Sequence, residues 1–319
     1  MPADTFTEAA LFARGLSREE AHALIEAPET DAFASATRLR ERQFGRRVEA
    51  CFIINAKSGN CGMNCRFCSQ SAHNSTPVKT YPLLAPEELE ATVAAWEPYP
   101  VGRCGIVTSG GALSDDDVEQ LAQFIESRRG KSGPTICGSL GRLKHDALQR
   151  LKRAGMTRLH HNLETSESFY PSVCTTQTWR DRLDTVREAV VAGLEVCVGG
   201  LFGLGETWDD RIDFALFLKE EGIRNIPINF LYPHPGTPMA DRPVMKPEEA
   251  LRIVALFRHL IPDATLRVCG GRVSVLGERQ YDIFAAGANA FMTGNYLTIA
   301  GQNVAADMEK IAELGLEMA

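Results

Sequence analysis

Cys51-Phe52-Ile53-Ile54-Asn55-Ala56 is a short β-branched run, and within two residues it opens into Ser58-Gly59-Asn60-Cys61-Gly62-Met63-Asn64-Cys65-Arg66-Phe67-Cys68. The run has the length and composition of a buried strand. It is the first of a series. Further candidate strands are Cys104–Thr108, Thr135–Ser139, Arg158–Asn162, Glu195–Gly200, Ile226–Phe230, Thr265–Cys269 and Ala290–Thr293. Amphipathic helical patterns lie between them, near 86–98, 114–129, 144–154, 178–192, 207–221, 247–260, 277–286 and 303–315. Several open on Ser, Thr, Asp or Pro and close near Gly130, Gly155, Gly193 or Gly222, as helix boundaries do. Strand–helix alternation makes parallel βαβ units. Eight such units predict an α/β protein built as a closed (β/α)8 TIM-type barrel, with a doubly wound open sheet as the alternative. In a barrel the chemistry sits at the C-terminal ends of the strands, where the cysteine loop falls.

Residues 1–48 precede the first strand and read as a helical N-terminal extension, with 49–319 forming the barrel. Ser17 followed by Glu20 is a helix-start signal, and Ala21, Leu24 and Ile25 continue at helical spacing. The basic stretch RLRERQFGRR reads as a solvated helix face rather than a binding patch.

The chain has 319 residues, with 34 Lys+Arg against 41 Asp+Glu and a formal net charge of −7. That balance argues against a nucleic-acid partner. No apolar run reaches the roughly 18 residues of a membrane span, and the N-terminus has no basic-then-apolar export pattern. A cytoplasmic enzyme is expected. Nine cysteines in such a setting do not form a disulfide framework.

The cysteines divide by position. Cys61, Cys65 and Cys68 have CxxxCxxC spacing on one loop, which lets three soft thiolates wrap one metal assembly. Three ligands leave a four-iron cluster with one open iron; a zinc knuckle completed by His73 is the competing reading. Cys104, Cys137, Cys197 and Cys269 lie far apart, each on a different candidate strand. Side chains alternate between faces along a strand, so each could point into the barrel and share a second iron–sulfur assembly. Cys51 and Cys174 have no partner at ligand spacing and read as non-ligands.

CxxxCx(aromatic)C after the first barrel strand resembles the radical S-adenosylmethionine superfamily. The resemblance implies a [4Fe–4S] cluster on Cys61, Cys65 and Cys68 whose open iron binds S-adenosylmethionine. Reductive cleavage then yields a 5′-deoxyadenosyl radical that abstracts hydrogen. It also implies that Ser109, Gly110 and Gly111 receive the methionine amino group and that Glu164 binds the ribose hydroxyls. Arg182 is expected to pair with the methionine carboxylate, and Leu201 to touch the adenine.

Cys61–His73, His161-Asn162-Leu163-Glu164-Thr165-Ser166, Arg182-Leu183-Asp184-Thr185, Pro227-Ile228-Asn229 and Gly236-Thr237-Pro238 together resemble the biotin synthase family from about residue 50 onward. That family converts dethiobiotin to biotin by radical sulfur insertion. The resemblance implies an auxiliary cluster, [2Fe–2S] or larger, that donates sulfur, with Cys104, Cys137 and Cys197 as its cysteine ligands. Arg267 matches the Arg that commonly completes that cluster. Cys269 departs from the pattern. It lies two residues beyond Arg267 and so on the same face, and thiolate is the better iron ligand. Cys269 is therefore expected to ligate in place of Arg267. Asn162 and Asn229 match contacts to the ureido ring, whose N–H donors and carbonyl an amide complements. His160 stands where Asn is common. A flavodoxin or ferredoxin reductant and a homodimer are further implications. A hydrogenase maturase, a mutase on the same barrel, and an iron–sulfur carrier are the alternative functions.

Overall fold

The computed structural model describes residues 12–319. The part of the expected N-terminal extension that lies in 1–11 falls outside the described residues. From Arg18 the chain forms helices Arg18–Glu26 and Glu29–Phe44. Ser17 caps the first in a reciprocal box with Glu20. Both helices pack on helix Pro247–Leu260, and Leu16 N donates to His259 O at 2.9 Å. Arg40, in the basic stretch, is buried rather than solvated.

The sheet is wholly parallel. Its strands are β1 (Arg47–Lys57), β2 (Arg103–Thr108), β3 (Thr135–Ser139), β4 (Arg158–His160), β5 (Glu195–Cys197), β6 (Gly200–Phe202), β7 (Asn225–Phe230), β8 (Thr265–Val268) and β9 (Ala290–Met292). They run in the order β5-β4-β3-β2-β1-β9-β8-β7-β6. The two ends of that order are consecutive in the chain. β5 pairs with β4 and β6 pairs with β7, so the predicted fifth strand is one segment shared between both neighbours. Val198 N donates to Asn225 O at 2.9 Å and Leu201 N to Glu164 O at 2.8 Å, which closes the ring. The outcome is the expected barrel, eight chain segments round.

The interruption at Val198–Gly199 has a steric cause. A Cβ on Gly199 would lie 1.8 Å from Pro227 O. Only glycine lets the two backbones approach this closely.

Helices Pro86–Ala94, Asp115–Ser127, His145–Ala154, Trp179–Val191, Trp208–Glu220 and Pro247–Leu260 follow the strands and cover the barrel. Their apolar faces and the outward side chains of the strands share one buried core, which holds Phe52, Ile54 and Ile106 as well as Leu121, Ile125 and Leu148. The 277–286 helix is not formed as expected. A helix spans Arg272–Leu276 and ends at Gly277, whose φ of 52° stops it, followed by a single 3-10 turn. A last strand, β10 (Glu317–Met318), pairs with the start of β1.

Candidate active site

On a closed barrel, alternate strand residues face inward. The inward set surrounds a cavity of about 450 Å³. Because every strand is parallel, residues later in a strand lie nearer the C-terminal mouth.

The cysteine loop after β1 forms part of that mouth. Phe67, Cys68, Ser69 and Gln70 line it. The loop is held by its own backbone and by side chains. Cys61 N donates to Gln70 O at 3.1 Å, Ala72 N to Cys61 O at 2.8 Å, and Asn74 Nδ2 to Cys65 O and Cys68 O at 3.2 and 2.8 Å. Cys61 and Cys68 are partly exposed and Cys65 is buried. Burial pushes the Cys68 thiol up to about 11, with Cys61 and Glu164 adding in the same direction. His73 is not turned to the thiols; its Nε2 lies 3.1 Å from Gly62 O. Among the described residues no three His, Cys, Asp or Glu converge at single-ion distance. A cluster is held differently, since each thiolate sits on its own iron.

Cys174 is buried beside Cys65, and its Sγ donates to Asn64 Oδ1 at 3.3 Å. The sequence offered no sign of this, because the two are 109 positions apart (174 − 65).

The residues expected to hold S-adenosylmethionine gather around the loop. Ser109 Oγ donates to Gly59 O at 2.7 Å. Gly110 has φ 107°, and a Cβ on Gly111 would meet Met63 of the loop at 3.1 Å. Glu164 and Leu201 line the cavity. Glu164 adopts φ 70°, an unusual backbone for a residue with a Cβ. Burial raises its pKa and Arg182 opposes the rise. Arg182 Nη2 pairs with Glu164 Oε1 at 3.1 Å. Arg182 thus reaches the cavity wall through Glu164.

Asn162, Asn229 and His160 also line the cavity. Asn162 Oδ1 accepts from Gly199 N at 3.1 Å. Asn229 Oδ1 accepts from Gly270 N at 2.9 Å, and its Nδ2 donates to Gly200 O at 3.1 Å. Each amide is oriented by backbone and keeps hydrogen-bonding capacity to spare. Burial lowers the His160 pKa to about 4, helped by Arg182 and Arg267, so the ring is neutral at pH 7.

The same cavity is lined by Cys137, Cys197 and Cys269, with Arg103, Arg158 and Arg267. Burial pushes the Cys197 thiol up to about 11 and raises the Cys269 thiol well above its ordinary value. Such thiols ionise on binding a metal. Arg103 Nη1 is 3.8 Å from Cys137 Sγ. Arg267 Nη2 pairs with Glu49 at 2.8 Å, while its buried Nη1 has no partner. Soft thiols faced by guanidinium groups, one with an unsatisfied donor, suit an anionic sulfide-bearing group.

Cys104 does not join them. It is fully buried in the helix-side core, whereas its β2 neighbours Arg103, Gly105 and Val107 line the cavity. Period-two alternation on β2 puts Cys104 on the outer face. Conversely Cys51, read from sequence as a non-ligand, lines the cavity.

The fold and this site define a radical S-adenosylmethionine protein. The family model "Radical SAM superfamily" matches residues 56–218, and "BATS: Biotin and Thiamin Synthesis associated domain" matches 227–317. Among solved structures the chain is similar to a methylornithine synthase, with TM-score 0.85 and 18% identity over 98% of this chain and 96% of that one. It is also similar to a maturase of the [FeFe]-hydrogenase, with TM-score 0.82 and 16% identity over 99% and 76%. At those identities the likeness is one of fold. The biotin synthase of Desulfovibrio desulfuricans is 53% identical over 94% of this chain and 95% of its own. That of Heliobacterium modesticaldum is 43% identical over 98% and 97%. The chain belongs to the biotin synthase family, whose members are radical S-adenosylmethionine sulfurtransferases.

Proposed function

We propose that this chain converts dethiobiotin to biotin by radical sulfur insertion. The observation that carries the reading is one continuous cavity that joins Cys68 and Glu164 to Asn162 and Asn229 and to Cys137, Cys197 and Cys269. A radical source, a cyclic-urea contact and a sulfur source need that adjacency.

Cys61, Cys65 and Cys68 would hold a [4Fe–4S] cluster, and Cys137, Cys197 and Cys269 an auxiliary cluster. Bound there, the first cluster with S-adenosylmethionine supplies a hydrogen-abstracting radical and the second supplies sulfur. The protein's own work is placement. Glu164 accepts from the ribose hydroxyls, Arg182 pairs with the methionine carboxylate, and the 109–111 backbone takes its amino group. Leu201 offers an apolar contact to the adenine. Asn162 and Asn229 hold the ureido ring, and neutral His160 donates or accepts a single hydrogen bond beside them. Enclosure keeps water from the radical. Cys269, not Arg267, ligates the auxiliary cluster, because thiolate is the better iron ligand; Arg267, with Nη1 unpartnered, faces the cluster as a donor.

The reading includes a flavodoxin or ferredoxin reductant, a homodimer, a cytoplasmic setting and a helical extension over 1–48. No helix among the described residues is long and apolar enough to cross a membrane. The test is anaerobic incubation of the reconstituted chain with S-adenosylmethionine, reductant and dethiobiotin. Biotin together with 5′-deoxyadenosine is expected. 5′-Deoxyadenosine without biotin or a thiol intermediate would point to a different radical enzyme, and no 5′-deoxyadenosine to an iron–sulfur carrier.

A further inference from the structure

The inner thiols follow the geometry of the barrel more closely than the spacing of the sequence. A barrel interior is filled in layers whose side chains come from alternate strands. Counting β5 and β6 as one segment, the first, third, fifth and seventh segments contribute Cys51, Cys137, Cys197 and Cys269, all on the cavity wall. Cys51 stands within electrostatic reach of the other three and against the Arg267 guanidinium.

Cys104 breaks this pattern on two counts. It lies on the second segment, and it faces out. Its register partner on β1 is Phe52, whose ring stacks on Trp96 at 4.1 Å in the helix layer. The inward residue of β2 level with Cys137 is Gly105, which also pairs with Ile53. Gly105 has no side chain to offer, and a Cβ there would press on Ile53 at 3.2 Å. On β1, Cys51 lies two residues before Ile53 and shares its inward face.

We infer that Cys51 is a ligand of the auxiliary iron–sulfur cluster, in the role the sequence assigned to Cys104, so that Cys51, Cys137, Cys197 and Cys269 form a four-thiolate site. The inference rests on the auxiliary cluster proposed above. Four cysteines are the usual complement of [2Fe–2S] and [4Fe–4S] clusters alike.

The test isolates the auxiliary site in the full chain. With Cys61, Cys65 and Cys68 all changed to Ala, the parent variant is reconstituted anaerobically with iron and sulfide. Bound iron, bound sulfide and the Mössbauer spectrum are then recorded. Adding Cys51→Ala should cut bound iron by about half or more, because a cluster missing one thiolate is poorly retained. Adding Cys104→Ala should leave iron and spectrum as in the parent. Cys51→Ser guards against a folding defect. It keeps the side chain's size and should retain a cluster whose Mössbauer parameters shift at one iron. Iron and spectrum unchanged in both Cys51 variants would overturn the inference, as would loss confined to Cys104→Ala. A parent variant that binds no iron would overturn the auxiliary cluster itself, and the inference with it.

Discussion

Arg182 Nη2 lies 3.1 Å from Glu164 Oε1, and both side chains are almost withdrawn from solvent. The pair ties helix Trp179–Val191 to the loop after β4, at the residue whose backbone φ is 70°. Removing one partner strands the other's charge in a buried place. Arg182→Ala should therefore destabilise the fold by about 3 kcal/mol or more. Glu164→Gln keeps the shape but leaves the buried Arg182 guanidinium without its counter-charge, so it should also destabilise the fold, while weakening S-adenosylmethionine binding. Urea unfolding and equilibrium dialysis measure the two effects. If Glu164→Gln is as stable as the unsubstituted chain, the charge pair is not what ties the two elements together.

Asn229 bridges Gly200 O on β6 and Gly270 N beyond β8 and also faces the cavity. Asn229→Ala removes its amide from the ureido ring and frees two backbone groups. Dethiobiotin affinity should fall about tenfold, equivalent to about 1.4 kcal/mol. Calorimetry on the anaerobic protein with S-adenosylmethionine present reads this directly. Asn229→Asp should be worse than Asn229→Ala, because it sets an acceptor oxygen against Gly200 O, where Asn229 Nδ2 donates, and against the ureido carbonyl.

The barrel was legible because βαβ alternation is periodic and glycines mark the helix ends. All eight expected strand segments formed at nearly the expected places. The sharing of the fifth between two neighbours was not legible, since it depends on Pro227 O approaching Gly199 across the ring. Cys61, Cys65 and Cys68 could be grouped because they are local in sequence. The inner thiols could not be sorted the same way, because facing depends on a strand's phase, which one residue reverses. Cys104 and Gly105 are adjacent, yet only Gly105 looks inward. The phase of β1 was no more legible, because Ile53 on the inward face is as apolar as Phe52 and Ile54 on the other. Cys174 beside Cys65 had no local signal at all.

His259 sits fully buried in helix Pro247–Leu260, far in sequence from the cysteines. Its Nδ1–H donates to Ala255 O at 2.7 Å, which leaves Nε2 to accept from Ser35 Oγ at 2.6 Å. Burial lowers its pKa to about 4 from 6.5. Between those values the unfolded chain binds more protons than the folded one, so stability is full above pH 6.5 and falls as the pH drops toward 4. The loss attributable to this ring is about 3 kcal/mol. His259→Gln should show a shallower decline over pH 6.5–4 in urea-unfolding series. A slope identical to the unsubstituted chain's would remove His259 from the account of acid sensitivity.

Arg272 and Asp307 form the most deeply buried ion pair on the barrel's closing side, with both side chains at 0% exposure. Arg272 Nη2 reaches both carboxylate oxygens, at 3.0 and 2.8 Å, and Tyr281 Oη donates to Oδ1 at 2.9 Å. Asp307 belongs to helix Val304–Glu313 and Arg272 to helix Arg272–Leu276, which directly follows Cys269 and its two glycines. The pair therefore fixes the last helix to the segment that carries an inner thiol. Asp307→Ala leaves a guanidinium buried without a counter-charge, at a cost of about 3–5 kcal/mol. Replacing both, Arg272→Met with Asp307→Leu, removes both charges and should recover much of that loss. Thermal unfolding of the three variants separates the cases. If Asp307→Ala is as stable as the parent, the last helix is held by its apolar contacts through Ile311. If only the double variant regains stability, the penalty is that of an unpaired buried charge.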